Sequence, residues 1–561
     1  MSSFLLEIEI LQKPEIEDHQ SFSLAYSTST KFEKDKVNFE NDDYYIVLDG
    51  IVLNQKHLLN STNQQQWATF LIDLYKHNGD QFFKQLKGSY YGFLFDKKAN
   101  KWIIFTDHIS SKPMYFAEFD NRLFFSNSYT ELLNRLKKKG KRITLNEQGA
   151  YVLLSYGYVF EDFTITNEIK RLMVGYYAFV QDGNFAREKF YTLRNDPVEI
   201  SEKDAIEQID KRFREAVELA FEKDKEYGYK HIASLSGGLD SRMTVWVAHD
   251  LGYTDQLNLT FSQSDYLDET NAKRIASDLR HEWLFKALDN GNFLKNIDEV
   301  TRISGGNILY YGLAHGLSLY DKLDFKNLGI MHTGQLGDVA KGTYSSTPQT
   351  NKQFVFGDGA YSKKLLQSIN NFSFKEDYPN EESFKMYIRG FYGINSGLLS
   401  IMERTETYSP FYDIDFMEFA LSLPLKLRFN HYIYKKWILA KYPKASHYVW
   451  EKTKKRINRK EIKVKIMGKY FPVKQILPRI LVELGIKKHP LASKNHMNPL
   501  EYWYNTNPTI KQFQDSYFEA NILSIENTQI RNDCEMLYKS KQIVEKNQVL
   551  SLLAAIKQIN K

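Results

Sequence analysis

The chain has 561 residues, 42% of them hydrophobic and 26% charged, with a formal net charge of +6 from 75 Lys and Arg against 69 Asp and Glu. These proportions suit a folded chain long enough for two or three domains. They exclude wholesale disorder, and the positive excess is too small to argue for a nucleic-acid partner. A single cysteine, Cys534, excludes an intrachain disulfide and a four-cysteine zinc site.

The opening Met1-Ser2-Ser3-Phe4-Leu5-Leu6 has no basic segment ahead of a long apolar core, and no apolar run reaches about 18 residues. A cytoplasmic protein without a membrane span is therefore expected. Up to about residue 195 short apolar and aromatic runs recur, at 45–48, 90–95, 102–106 and 176–180, and read as strands. Asp49-Gly50, the stretch 96–100 and the stretch 181–184 read as turns between them. From Ile200 helix-length amphipathic segments alternate with short strands, the pattern of a parallel α/β sheet. Asn195-Asp196-Pro197 is the expected junction, dividing the chain into 1–195 and 196–561, and beyond about residue 380 a helical extension is expected. The basic runs 137–142 and 452–465 lack the interleaved aromatics of single-strand binders and read as solvated faces.

The stretch His231-Ile-Ala-Ser-Leu-Ser-Gly-Gly-Leu-Asp-Ser-Arg-Met243 carries the most chemistry. An apolar strand runs to Leu235, Ser236-Gly237-Gly238 turns the chain, and Met243, Val247 and Leu251 repeat at helical spacing until Gly252. Such a strand, glycine turn and helix gather free N–H groups and the positive helix end at one point, which suits an anion. Asp240 among anion donors makes sense if a cation such as Mg²⁺ joins it to phosphate oxygens. A Walker-type lysine is missing, so the donors suit a departing pyrophosphate rather than a transferred γ-phosphoryl group. A plain helix cap by Asp240 or Ser241 is the alternative.

The stretch Ser234 to Met243 resembles the pyrophosphate loop of the asparagine synthetase family, whose members adenylate a carboxylate and then let an amine attack it. The resemblance continues through 257–261, 268–279 and His281-Glu282, then through 328–338, 402–424, 434–439 and 449–456. It implies an N-terminal α+β sandwich of Ntn-hydrolase type. After it would come an α/β synthetase domain of the adenine-nucleotide alpha hydrolase, or PP-loop ATP pyrophosphatase, kind. It implies ATP and Mg²⁺ as cofactors. Leu235, Ser236, Gly237, Gly238, Asp240, Ser241, Phe261, Thr333 and Gly334 would contact the nucleotide, and Asp240 and Asp338 would share the metal. Lys454, with Lys452 beside it, would stabilise charge during amide formation, and Glu406 aligns with a family glutamate.

Departures are equally specific. Glutamine-using members begin, after methionine removal, with a nucleophilic cysteine; here the residue is Ser2, which is not expected to hydrolyse glutamine. Ile51 stands where a glutamate would grip the glutamine amino group. Gln335 replaces a glutamate able to relay a proton from the incoming amine, Val339 is not acidic, and Tyr408 takes the place of an arginine. The expected activity is an ATP-dependent, AMP- and pyrophosphate-forming carbon–nitrogen ligase without glutaminase activity. It would act on a small-molecule or peptide carboxylate with ammonia or a substrate amine, and have no nucleic-acid or membrane partner. Intramolecular amide formation of the β-lactam-synthetase or lasso-peptide-cyclase kind stays open, as does a silent nucleotide-binding scaffold. Sulfur transfer to RNA would need paired reactive cysteines, and there is one.

Overall fold

The computed structural model describes residues 3–10, 21–62, 64–369, 372–459, 463–466, 469–472 and 490–561. The first strands are β1 (Ser3–Glu9), β2 (Phe22–Ser27), β3 (Val37–Glu40), β4 (Tyr44–Val52), β5 (Gly88–Asp96) and β6 (Lys101–Thr106). After them come β7 (Tyr115–Phe119), β8 (Arg122–Ser126), β9 (Lys170–Arg171), β10 (Tyr176–Gln181) and β11 (Asn184–Lys189). They form two antiparallel sheets, ordered β2-β1-β8-β7-β9 and β11-β10-β6-β5-β4-β3. Side chains alternate across each strand, so one set faces the other sheet and one faces outward. Tyr91, Phe93 and Phe95 of β5 join Phe4, Leu6 and Ile8 of β1 between the sheets, where Trp102 stacks on Phe95 at 4.0 Å. On the outer side of β8, Phe124 packs against Leu132, Leu133 and Leu136 of the helix Tyr129–Lys138.

The apolar runs read as strands lie in β4, β5, β6 and β10, but two expectations need correction. The region also holds helices, including Gln55–Thr62, Trp67–Asn78 and Glu147–Tyr156. Asp49-Gly50 is not a turn: it lies inside β4, where Gly50 has φ +118° and a Cβ would stand 2.2 Å from the Ser89 carbonyl oxygen. Its glycine serves a close strand approach, not a reversal.

A third sheet, parallel, contains β12 (Lys230–Ser234), β13 (Gln256–Ser262), β14 (Glu282–Ala287), β15 (Leu328–His332) and β16 (Thr407–Tyr408), ordered β14-β13-β12-β15-β16. The helices Asp240–Asp250 and Leu267–Leu279 connect β12 to β13 and β13 to β14. The chain then returns to the other side of β12 to lay down β15. Order therefore reverses between β12 and β15, and in open α/β sheets ligands gather beyond the carboxyl ends of such a pair. Beneath, buried Asp224 of the helix Glu202–Tyr227 pins the sheet. It accepts from the Ile330 N–H at 2.7 Å and meets His332 Nε2 at 2.7 Å and His231 Nδ1 at 2.9 Å. Among the described residues no helix is long and apolar enough to cross a membrane, and Cys534 is free and buried.

Candidate functional site

β12 ends at Ser234, and the loop from Leu235 to Leu239 delivers the chain into the helix Asp240–Asp250. Ser241 Oγ accepts from the Ser236 N–H at 3.1 Å and lies 2.9 Å from Ser236 Oγ, which accepts from the Gly238 N–H at 3.2 Å. The Gly237 N–H donates to Asp268 Oδ1 at 2.8 Å. Burial raises the Asp268 carboxyl to about 6, against the lowering effect of that bond. The two glycines have different reasons. A Cβ on Gly237 would meet the Leu267 carbonyl oxygen at 2.8 Å and Glu451 Cβ at 3.0 Å, whereas one on Gly238 would meet only Ser236 Oγ at 3.2 Å. Gly238 thus lets a ligand approach the backbone beside the first helical turn, whose N–H groups have no intrahelical partner.

The loop after β15 packs directly on this helix start. A Cβ on Gly334 would stand 2.3 Å from the Ser241 nitrogen, and one on Gly337 would stand 2.4 Å from Asp240 Cγ. Leu336 between them is buried with φ +60°, a left-handed conformation that costs a non-glycine residue about 1–2 kcal/mol. That turn brings Asp338 toward Asp240, but the space expected for a shared ion is taken. The Lys341 ammonium lies 2.6 Å from Asp240 Oδ2 and 3.3 Å from Asp338 Oδ1. Lys341 is 6% exposed, and although burial opposes its charge, the two carboxylates outweigh that and raise its pKa. Burial likewise opposes charge on Asp338, but Lys341 and the Thr343 hydroxyl at 2.6 Å hold its carboxyl at about 2. Burial dominates at Asp240 and raises its pKa despite Lys341. Asp240 Oδ1 is buried beside the Tyr434 hydroxyl, which faces the carboxylate without the close geometry of a full hydrogen bond. Asp240 is the residue that would hold a Mg²⁺ ion here, and an ion bridging Asp240 and Asp338 would have to displace Lys341.

A cavity of about 250 Å³ opens between the loops. Of the expected nucleotide contacts, Ser236, Gly238, Asp240, Ser241, Phe261, Thr333 and Gly334 line it. Leu235 and Gly237 lie behind that wall, buried. Phe261 faces His315 at 4.7 Å between ring centroids, and burial lowers the His315 imidazole to about 4, so this end is aromatic and uncharged. At the opposite end Gln335 Oε1 accepts from Tyr412 Oη at 3.0 Å, a hydroxyl also 2.7 Å from Asn395 Oδ1.

The three expected catalytic residues separate. Lys452 is the lysine whose charge faces the carboxylates. Desolvation first, then the Lys341 charge, lowers its pKa, while Asp338 and Asp240 oppose that. Lys454, with φ +56°, instead turns to Tyr266 Oη at 3.1 Å and Glu451 Oε1 at 3.5 Å. Neither lysine lines the cavity, and Lys452 is the one whose charge faces Asp240 and Asp338. Glu406 does not line the cavity. Its backbone carbonyl receives the Met331 N–H at 2.9 Å, and its carboxylate points the other way, 2.7 Å from buried Lys112 of the first region. There it borders a separate cavity of about 60 Å³, lined also by Lys31, Tyr91 and Asn127. Ser2 lies outside the described residues, as does the stretch 460–462 of the second basic run.

Sequence reading missed four groups that shape the site: Lys341, Asp268, His315 and Arg242. Buried Arg242 donates to the carbonyls of Val449 at 2.9 Å and of Gly237 and Ala445 at 3.2 Å, tying the loop to the segment that carries Lys452. It lies in the quoted stretch itself, and its charge at a position facing the core was the available signal.

Comparison with known proteins adds the following. Residues 34–191 match a glutamine amidotransferase domain family. A putative glutamine-hydrolyzing asparagine synthetase 2 of Methanocaldococcus jannaschii is 27% identical over 276 residues, 46% of this chain and 52% of the relative. The glutamine-hydrolyzing asparagine synthetase 2 of Bacillus subtilis is 26% identical over 350 residues, 55% of this chain and 44% of the relative. The chain thus spans about half the length of the curated relatives it matches. Among solved structures, glutamine phosphoribosylpyrophosphate amidotransferase from B. subtilis, complexed with ADP and GMP, aligns with 50% of this chain and 75% of its own at 9% identity. Its TM-score of 0.23 is too low to carry a conclusion.

Proposed function

We propose, for a chain that belongs to an asparagine-synthetase-like family, that the cavity between β12 and β15 activates a substrate carboxylate with ATP. The products of the activation step are an acyl-adenylate and pyrophosphate. The carrying observation is the close packing of the two loops, with Gly334 and Gly337 against Asp240 and Ser241. That packing sets the anion donors of the loop and Asp240 in the lining of one cavity with Phe261 and His315.

In this reading the carboxylate oxygen bonds to the α-phosphorus, and the bond from that phosphorus to the bridging oxygen breaks. The departing charge develops beside the loop from Ser236 to Ser241 and the N-terminus of its helix, a preorganised electrostatic arrangement. Phe261 and neutral His315 accept the adenine. Asp240 would hold a Mg²⁺ ion, which would supply charge neutralisation to the phosphates. A nitrogen lone pair then attacks the acyl carbon and the bond to AMP breaks. The proton of the amine passes to the departing AMP phosphate or to water, and Lys452 stabilises the charge that builds up. Gln335 can orient the acyl group through its amide but cannot take the amine's proton. An amine already tethered to the substrate, as in β-lactam or lasso-peptide formation, therefore stands beside ammonia as acceptor.

The matching fold reading is an Ntn-type sandwich over 1–195 that has lost glutamine hydrolysis, followed by a PP-loop synthetase unit over 196–561. Supporting the loss, Ile51 is fully buried and offers no polar atom to an amino group. ATP–pyrophosphate exchange tests the whole proposal, run with aspartate, glutamate and peptide carboxylates and with Asp240→Ala as control. Carboxylate-dependent exchange lost in the variant supports it. Nucleotide binding without exchange for any acid would favour the scaffold instead.

A further inference from the structure

The clearest departure of this site is a lysine where two carboxylates converge. Lys341 is buried at the end of the turn Gly337–Lys341, which is clamped from behind: Arg428 donates to the Val339 carbonyl at 3.4 Å, and a Cβ on Gly342 (φ +58°) would meet the Phe429 nitrogen at 3.0 Å. Its ammonium has three donors. Asp240 Oδ2 and Asp338 Oδ1 take two of them, at 2.6 and 3.3 Å. A magnesium ion shared by the same two oxygens would need both at about 2.1 Å from a centre that the nitrogen now fills. The carboxylates of Asp240, Asp338 and Glu451 already face the cations of Lys341, Lys452 and Arg389.

We propose that Lys341 is a resident cation that replaces the metal otherwise shared by Asp240 and Asp338. The site would then take at most one divalent ion, on Asp240, and none between the two carboxylates. Asp338 is then a positioning residue for Lys341 and not a metal ligand. The inference rests on the pyrophosphate reading above.

Equilibrium dialysis and electron paramagnetic resonance of the full chain with Mn²⁺, without nucleotide, test it. Lys341→Met should bind one Mn²⁺ per chain more than the unmodified protein, and adding Asp338→Asn should remove that ion. In the unmodified background Asp338→Asn should change Mn²⁺ affinity by less than about threefold, an arm that decides the question even if Lys341→Met does not fold. The proposal is overturned if the unmodified chain binds an ion that Asp338→Asn abolishes, or if a folded Lys341→Met gains none. Titration with α,β-methylene-ATP separates the two ideas: failure to bind it sinks the pyrophosphate reading, while the Mn²⁺ counts still judge Lys341.

Discussion

Of two lysine–carboxylate clusters, one adjoins β16 and the other lies beyond β12 and β15, and they have been built for different ends. At Lys112 and Glu406, with side chains 11% and 8% exposed, one cation meets one carboxylate at 2.7 Å across the seam between the antiparallel sandwich and the parallel sheet. The other cluster places Lys341 between two carboxylates, and its Asp240 lines a cavity next to a helix N-terminus. The first arrangement holds two units together; the second borders the candidate site. Aligned position alone would make Glu406 catalytic, yet its cluster borders a cavity of about 60 Å³ against about 250 Å³ at the second.

Changing Glu406 to Gln should break this contrast if it is wrong. Removing one partner of a buried ion pair costs about 3–5 kcal/mol, because the other charge is left uncompensated. Chemical denaturation should show that loss, while pyrophosphate exchange per folded chain stays within about threefold. A hundredfold drop in exchange with unchanged stability would return Glu406 to the chemistry. Lys452→Met should act the other way, lowering exchange or amide formation by roughly 10²–10³-fold, about 2.7–4 kcal/mol of transition-state stabilisation, with a normal melting curve. Lys454→Met serves as its partner measurement, and a change larger than threefold would reinstate the lysine first preferred.

Asp268 gives a pH-dependent effect of about 2–3 kcal/mol. Its carboxyl sits at about 6 in the folded chain against an ordinary 3.8, so between those values the folded state holds a proton that the unfolded chain has lost. The group therefore favours folding at low pH. Its contribution fades as pH rises through that window, and above 6 the folded chain carries a buried charge. Asp268→Asn keeps an acceptor for the Gly237 N–H without the charge. It should raise the melting temperature at pH 8 and do so much less at pH 4.5; an equal shift at both would show that the carboxylate is not desolvated. The smallest expected change is in nucleotide affinity for His315→Phe, a few-fold at most, since the imidazole already sits neutral against Phe261.

Much of this was legible along the chain because it depends on local chemistry. Alternating aromatics place β5 and β6, and the strand, glycine turn and helix around Ser236-Gly237-Gly238 follow from periodicity and backbone freedom. Asp240 reads as an anomaly among anion donors before any coordinates are known. Asp49-Gly50 failed as a turn because the same glycine freedom also serves a close strand approach, and only the neighbouring strand distinguishes the two.

What tertiary structure alone decided is which charges meet. Glu406 and Lys112 are 294 positions apart, and nothing local says that β16 turns that carboxylate toward the sandwich. Lys341 follows Asp338 by one helical turn, yet its reach to Asp240, 101 residues away, depends on β15 lying beside β12 and on Gly334 and Gly337 letting the loops touch. Residue type and spacing set what each group can do. Which partner it does it with is set by the strand order, because electrostatic and hydrogen-bond energies fall off over a few ångströms and ignore distance along the chain.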